Sequence, residues 1–399
     1  MRKLVVLAIC LALFAGLLGA LAVACGKEET TTTAAPVTTA PPTTAAPTTS
    51  ATTAAQQTTT SGATTQPTVI KLTFASEKPP THLDHTDNFP GFFQMVEKAT
   101  GGKYKFDIQW FPVKTLIEPP DIYDGVKSGV VDCGQSSMGY TPKMFPVMQT
   151  MMQPGISPPN DTRAMVAAGL ELYKKYQPAE LANTHLLYLY ACGPGWLHAK
   201  FQLEKVDQLK GLRIRCSGTS VRAIELVGGD PISMPMADVY EAAQKGTIDA
   251  LLSPAETLEG WKHYELFDYS TLCNQLYASD FFWVAMNLDK WNSLPDDLKA
   301  AFESVFEAAS MRAGAIWDYA HEHAMQFSEP KGHKFAQLPD QERAKITEMI
   351  KPIRDEYLAY LNGLGLPGEQ IINDCVAFMQ KANAAQYDKW APGNDKWLQ

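Results

Sequence analysis

Two decapeptides share one grammar. YDGVKSGVVD spans Tyr123 to Asp132, and YEAAQKGTID spans Tyr240 to Asp249, 117 residues further on. Tyr, Gly and Asp fall at the same offsets, with an acidic residue after each Tyr. Each reads as the end of a helix, a glycine stop and the start of a buried strand. The glycine suits the left-handed residue that ends a helix. Many α/β units reach such a glycine by convergence. A shared Tyr, acid, Gly and Asp in register favours two similar lobes.

The surrounding segments alternate in type. VIKLTFAS (Val69 to Ser76) reads as a strand, Phe89 to Thr100 as a helix stopped by Gly101-Gly102, and YKFDIQWFP (Tyr104 to Pro112) as an alternating strand. The first decapeptide then runs into the apolar strand VVDCG. The second half repeats the series. HLLYLYAC (His185 to Cys192) and GLRIRCSG (Gly211 to Gly218) are strands, Thr219 to Val227 is a helix ending at Gly228-Gly229, and TIDALLS is the strand after Gly246. This order argues for an α/β fold with largely parallel sheets. Residues 69–399 exceed one comfortable core, so two lobes are expected. The first takes about 69–190 with segments returning after about 285, and the second about 191–285. The last third, 295–386, is helical. Ser293 suits an N-cap with Pro295 in the first turn, and apolar residues from Leu298 to Phe327 follow at spacings of three and four. One helix of that length runs about 45 to 50 Å, enough to cross both lobes.

The first 68 residues belong to no lobe. Arg2 and Lys3, an uncharged apolar run from Leu4 to Ala24, and small Ala22 and Ala24 before Cys25 have the layout of an export signal over residues 1–24. The run is also long enough to span a bilayer, which is the competing reading. Leu21-Ala22-Val23-Ala24-Cys25 resembles a bacterial lipobox, which implies lipidation of Cys25. Residues 26–68 are rich in Thr, Pro and Ala and carry no aromatic residue, so nothing offsets the entropy of folding. The segment reads as a tether, with a reach of about 35 Å as a flexible coil. The expected place is the outer face of the cytoplasmic membrane, periplasmic or extracellular, on a lipid anchor. A net charge of −9 does not favour nucleic acid. Of seven cysteines, Cys133, Cys192, Cys216, Cys273 and Cys375 lie in the folded part. Their odd number and wide spacing give neither a disulfide framework nor a metal pattern.

Catalytic grammar is thin. GxSxG, HExxH and a phosphate-cradling glycine loop are absent, and no cofactor is implied. His321 and His323 flank Glu322, but residues two apart on a helix point in different directions. The informative residue is Arg215 in LRIRCSG. It lies at the carboxyl end of a strand, where open α/β sheets bind ligands. A guanidinium there either grips a carboxylate through two parallel hydrogen bonds or ties a structural salt bridge. Position alone does not separate these. Arg213 lies nearer the strand's start and is expected to be solvated.

GLRIRCSG, MPMADVYEAAQKGTIDA and VAMNLDKWNSLPDDLK resemble the solute-binding subunits of tripartite ATP-independent periplasmic (TRAP) transporters of the C4-dicarboxylate-binding type. KATGGKYKFDIQWFP and DGVKSGVVDCGQSSMGYTPKMFP are similar to that family's first lobe. The resemblance covers nearly all of residues 69–399. It implies a two-lobed clamp that is not an enzyme, closes on an organic acid and delivers it to membrane permease subunits. It implies that Arg215 binds the ligand carboxylate, that Asn287 hydrogen-bonds the same group, and that Gln135, Ser137 and Tyr140 line the first-lobe side. Many relatives carry a second arginine just after the strand LLYLYACG, where this chain has Trp196 and His198. Trp283, Phe281 and Phe282 stand close before Asn287, and Trp110 ends a first-lobe strand. Loss of a second guanidinium and gain of aromatic surface suit an aromatic or branched 2-oxo monocarboxylate. Should the ligand be a dicarboxylate, His198 is the candidate replacement cation. The rings of Trp196 and Trp283 are alternatively core. His82 and His85 after the first strand reach the cleft mouth or sit on a solvated loop. A surface-tethered hydrolase and a sensor subunit on the same scaffold are the competing functions.

Overall fold

The computed structural model describes residues 66–156 and 161–398. The expected signal, Cys25 and most of the tether lie outside the described residues. In chain order the strands are β1 (Thr68–Ser76), β2 (Tyr104–Pro112), β3 (Cys133–Ser137), β4 (His185–Ala191), β5 (Gly195–Ala199), β6 (Arg213–Cys216), β7 (Asp230–Ser233), β8 (Ala250–Pro254), β9 (Tyr269–Leu272), β10 (Phe281–Met286) and β11 (Lys334–Gln337). They form two sheets, ordered β2-β1-β3-β10-β4 and β11-β9-β5-β8-β6-β7. Each is the centre of one lobe.

Both sheets are mixed rather than largely parallel. β1 runs parallel to β2 and β3, while β10 is antiparallel to β3 and β4. In the second sheet β6 is parallel to β7 and β8, while β5 is antiparallel to β8 and β9. The antiparallel strands, β5 and β10, are the first in each sheet after the first two crossings between lobes. The chain passes to the second sheet between β4 and β5 and returns with β10, which starts at Phe281 rather than after about 285. It crosses again at β11, which pairs with β9.

The two decapeptides occupy equivalent places. Thr73 N donates to Asp132 Oδ2 at 2.8 Å, and Arg213 N donates to Asp249 Oδ2 at 3.0 Å. One residue further on, Phe74 pairs with Cys133 and Ile214 with Ala250. Each aspartate therefore pins the start of its strand to the backbone of the parallel neighbour. Gly129 and Gly246 make the preceding turns at φ 76° and 66°, where a Cβ would be strained.

A helix of 33 residues, Asp296–Ser328, braces both lobes. Its Phe302 ring packs on Phe92 of the first lobe, with centroids 5.8 Å apart. Its His323 Nδ1 lies 2.7 Å from Glu259 Oε2 of the second. Its His321 ring faces Trp196 at 6.0 Å, so this pair of histidines packs on the second lobe. The five cysteines are buried thiols. Arg213 forks onto Asp249 at 3.0 and 2.6 Å and stays half-exposed.

Candidate functional site

β1, β3, β6 and β8 all point their carboxyl ends toward the junction of the two sheets. β10, being antiparallel, points its beginning there. The side chains brought together are Glu77 and Lys78 after β1, Ser137 and Tyr140 at and after β3, Arg215 and Ser217 at and after β6, Glu256 after β8, and Asp280 and Phe282 at the start of β10. Trp317 closes the space from the long helix, with Tyr277 and Trp261 on the second-lobe side. The enclosed cavity has a volume of about 20 Å³, little more than the room one water needs. The lobes stand closed over it. Tyr140 of the first lobe accepts the Met236 N–H of the second at 2.9 Å. Lys114 Nζ reaches Asp238 Oδ1 at 2.6 Å on the rim.

One set of groups offers hydrogen. Arg215 is only 2% exposed. Its Nε and Nη2 donate to Met234 O at 3.0 and 2.7 Å, which fixes one edge of the guanidinium and leaves Nη1 uncommitted. Burial and the nearby Glu77 push the Tyr140 phenol up, against the pull of Arg215 and Lys78. It therefore keeps a proton that no group of the described residues accepts. Ser217 Oγ is buried without a partner. Three donors thus face one cavity with no acceptor in the protein, which is the chemistry of a carboxylate pocket.

A second set offers acceptors. Glu77 Oε2 accepts the Ser137 N–H at 3.2 Å, and its Oε1 pairs with Lys78 Nζ at 2.9 Å. The Lys78 ammonium lies 4.2 Å over the Phe282 ring and 4.8 Å over Trp317. Burial pulls Lys78 down, but Glu77, Asp84 and Glu256 together outweigh it and hold it charged. Glu256 Oε1 lies 2.8 Å from His82 Nε2. Because His82 Nδ1 accepts the Asp84 N–H at 2.9 Å, the ring carries its proton on Nε2. Asp280 accepts Ser137 Oγ at 2.6 Å and Gly139 N at 3.2 Å. Burial pushes its carboxyl up to about 7, with Glu77 adding to the rise and the Ser137 hydrogen bond opposing it.

Arg215, Ser137 and Tyr140 thus come together from the expected set. Asn287 does not. It caps the helix Leu288–Ser293, accepting Lys290 N at 3.0 Å, and donates to Val126 O at 2.9 Å. Antiparallel β10 carries it to the far end of the sheet, roughly 20 Å of strand from the cleft end. Trp283 is 1% exposed and packs edge-on against Tyr123 at 5.1 Å, inside the first-lobe core. Trp196 is buried against His321 and Phe335 behind the second sheet. His198 lies in the second-lobe interior between Ser270 Oγ and Ser253 O, at 2.6 and 3.2 Å. Burial and His333 push it down to about 3, so it supplies no cation; Lys78 does. His85 sits against Phe89 and Trp110, and burial pushes it down to about 4. Gln135 is buried beside β1, accepting from Ser76 Oγ at 3.0 Å. His82 is buried in the link between lobes rather than on a solvated loop.

The missed residues carried a readable signal. Glu77-Lys78 and Glu256 directly follow strand ends, the position that singled out Arg215. Asp280 directly precedes an apolar strand. Charged residues just past strand ends are candidates for a cleft by that topological rule, whereas Asp280 reaches it only because β10 runs antiparallel.

Residues 74–360 match the sequence pattern of the bacterial extracellular solute-binding protein family 7. A C4-dicarboxylate-binding periplasmic protein of Rhodobacter capsulatus is 24% identical over 272 residues, 66% of this chain and 80% of the relative. A TRAP periplasmic solute binding protein from Desulfovibrio salexigens, solved as an open complex, is similar with a TM-score of 0.69 at 28% identity, covering 79% of this chain and 98% of that one. A TRAP solute binding protein from Rhodoferax ferrireducens in complex with copurified benzoate has a TM-score of 0.73 at 24% identity, covering 78% of this chain and 98% of that one. The chain therefore belongs to the bacterial extracellular solute-binding protein family 7 and is a solute-binding subunit of the TRAP type.

Proposed function

We propose that this protein is held to the outer face of the cytoplasmic membrane by a lipid on Cys25, closes on a small organic acid, and hands it to membrane permease subunits. It acts as a binding protein and not as an enzyme. One observation carries the ligand class: Arg215 Nη1, the Tyr140 O–H and Ser217 Oγ converge on one buried cavity without acceptors of their own. A carboxylate supplies what they lack. The aromatic walls suit a flat or apolar body, and the benzoate complex of the Rhodoferax protein is consistent with that. Lys78 is already paired with Glu77, so a single carboxylate fits better than two. The hydrolase reading is weaker, since the lining holds hydroxyls and carboxylates but no histidine to activate them.

The test is calorimetric titration with benzoate, mandelate, branched 2-oxo acids and C4-dicarboxylates, on the parent and on Arg215→Ala. Losing a buried charge partner costs about 2 to 5 kcal/mol, so the variant should bind at least about 30-fold more weakly. An Arg215→Ala protein that binds its acid as the parent does would sink the assignment.

A further inference from the structure

We infer that the solute carries a cationic group beside its carboxylate, as an amino acid or a related zwitterion does. This rests on the organic-acid reading above and narrows it. The argument is one of charge. The cavity is lined by two cations, Lys78 and Arg215, and by three carboxyl groups, Glu77, Glu256 and Asp280. Asp84 stands directly behind, fully buried, with Trp317 Nε1 and Tyr190 OH donating to it at 3.1 and 2.9 Å. His82 Nε2 lies 2.8 Å from Glu256 Oε1 without a hydrogen bond between them, and its Nδ1 accepts the Asp84 N–H. Even with Asp280 set aside, the lining holds as many acidic as basic side chains, with the buried Asp84 behind them. A bare carboxylate would add one more anion to a largely buried space, where like charges repel more strongly than in water.

A positive group on the same molecule removes that conflict, and the cavity is fitted to receive one. Glu256 is 4% exposed, yet neither of its carboxylate oxygens has a hydrogen-bond partner among the described residues. An acceptor left bare inside a protein is costly unless something fills it. The surrounding rings already attract a cation, since Lys78 Nζ lies against Phe282 and Trp317. The same cavity thus presents spare donors from Arg215, Tyr140 and Ser217 and a spare anionic acceptor from Glu256. A zwitterion satisfies both sets, whereas a simple acid satisfies one.

The experiment uses two matched triplets and a pair on the full-length protein: phenylalanine, phenyllactate and 3-phenylpropanoate; leucine, its 2-hydroxy acid and 4-methylpentanoate; proline and cyclopentanecarboxylate. Dissociation constants are measured by calorimetry for the parent, Arg215→Ala and Glu256→Gln. Gln keeps the size and shape of the side chain and removes its charge. The expected result is at least one amine-bearing acid binding 10-fold or more tightly than its counterparts. Glu256→Gln should reverse that order, weakening the amine and strengthening the plain acid. Plain acids that bind as tightly as their amines in every set, and lose affinity in Arg215→Ala, would overturn the zwitterion while leaving the carboxylate site standing. Binding by no member of either kind would overturn both.

Discussion

Asp280 is a carboxyl placed where a charge is hard to keep. Its ordinary value is 3.8, and burial beside Glu77 raises it to about 7 in the fold. Below 3.8 both the folded and unfolded chains hold the proton, so the group is neutral to stability. Between 3.8 and 7 the folded state keeps a proton that the unfolded state has released, so stability falls as pH rises. Above 7 the full cost is present. Asp280→Asn should therefore gain on the parent between pH 4 and pH 8 by about 2 to 4 kcal/mol. Melting temperatures of both proteins at the two pH values check this. An identical difference at both would mean that the carboxyl titrates as in water. The residue was legible only in part. Arg215 could be picked out because one strand and one glycine-bounded loop locate it. Asp280 could not, because its burial depends on Ser137 and Gly139, more than 130 positions away.

At the scale of elements, most strands and the long helix could be read from periodicity and glycine punctuation. The faces they present could not. Trp283 and Phe282 are neighbours on β10; one fills the core and the other lines the cavity, because successive side chains alternate across a sheet. The choice follows from the pairing of Phe282 with Ser137 and Trp283 with Ser136, which no local pattern contains. The direction of β10 is equally invisible, and it decides the role of Asn287. As a cap with two further bonds to Val126 O and Lys127 O, at 2.9 and 3.3 Å, Asn287 is structural. Asn287→Ala should cost about 1 to 2 kcal/mol of stability and leave ligand affinity within about twofold. Denaturant unfolding paired with titration separates this from a ligand contact, which would cost affinity instead.

Over the whole molecule, closure sets what the cavity can hold. Two contacts between the lobes differ in kind, one largely shielded and one on the surface. The surface link is Lys114, which reaches both Asp238 and Glu118, at 2.6 and 3.2 Å. It stands on a loop whose Val113 and Lys114 have φ of 24° and 54°, a conformation that a β-branched residue resists. All three side chains are partly exposed, and such ion pairs are worth about 0 to 1 kcal/mol. The buried link is the Met236 N–H donating to Tyr140. Its loss strands a backbone donor, at about 1 to 3 kcal/mol. Lys114→Met should therefore weaken ligand binding by less than about fivefold, with an effect that fades in high salt. Tyr140→Phe should weaken it by about 10-fold or more, through faster dissociation and with little salt dependence. Stopped-flow dissociation rates at low and high salt distinguish the two. A larger and salt-insensitive loss in Lys114→Met would mean that the strained rim loop, rather than the cavity, holds the lobes together.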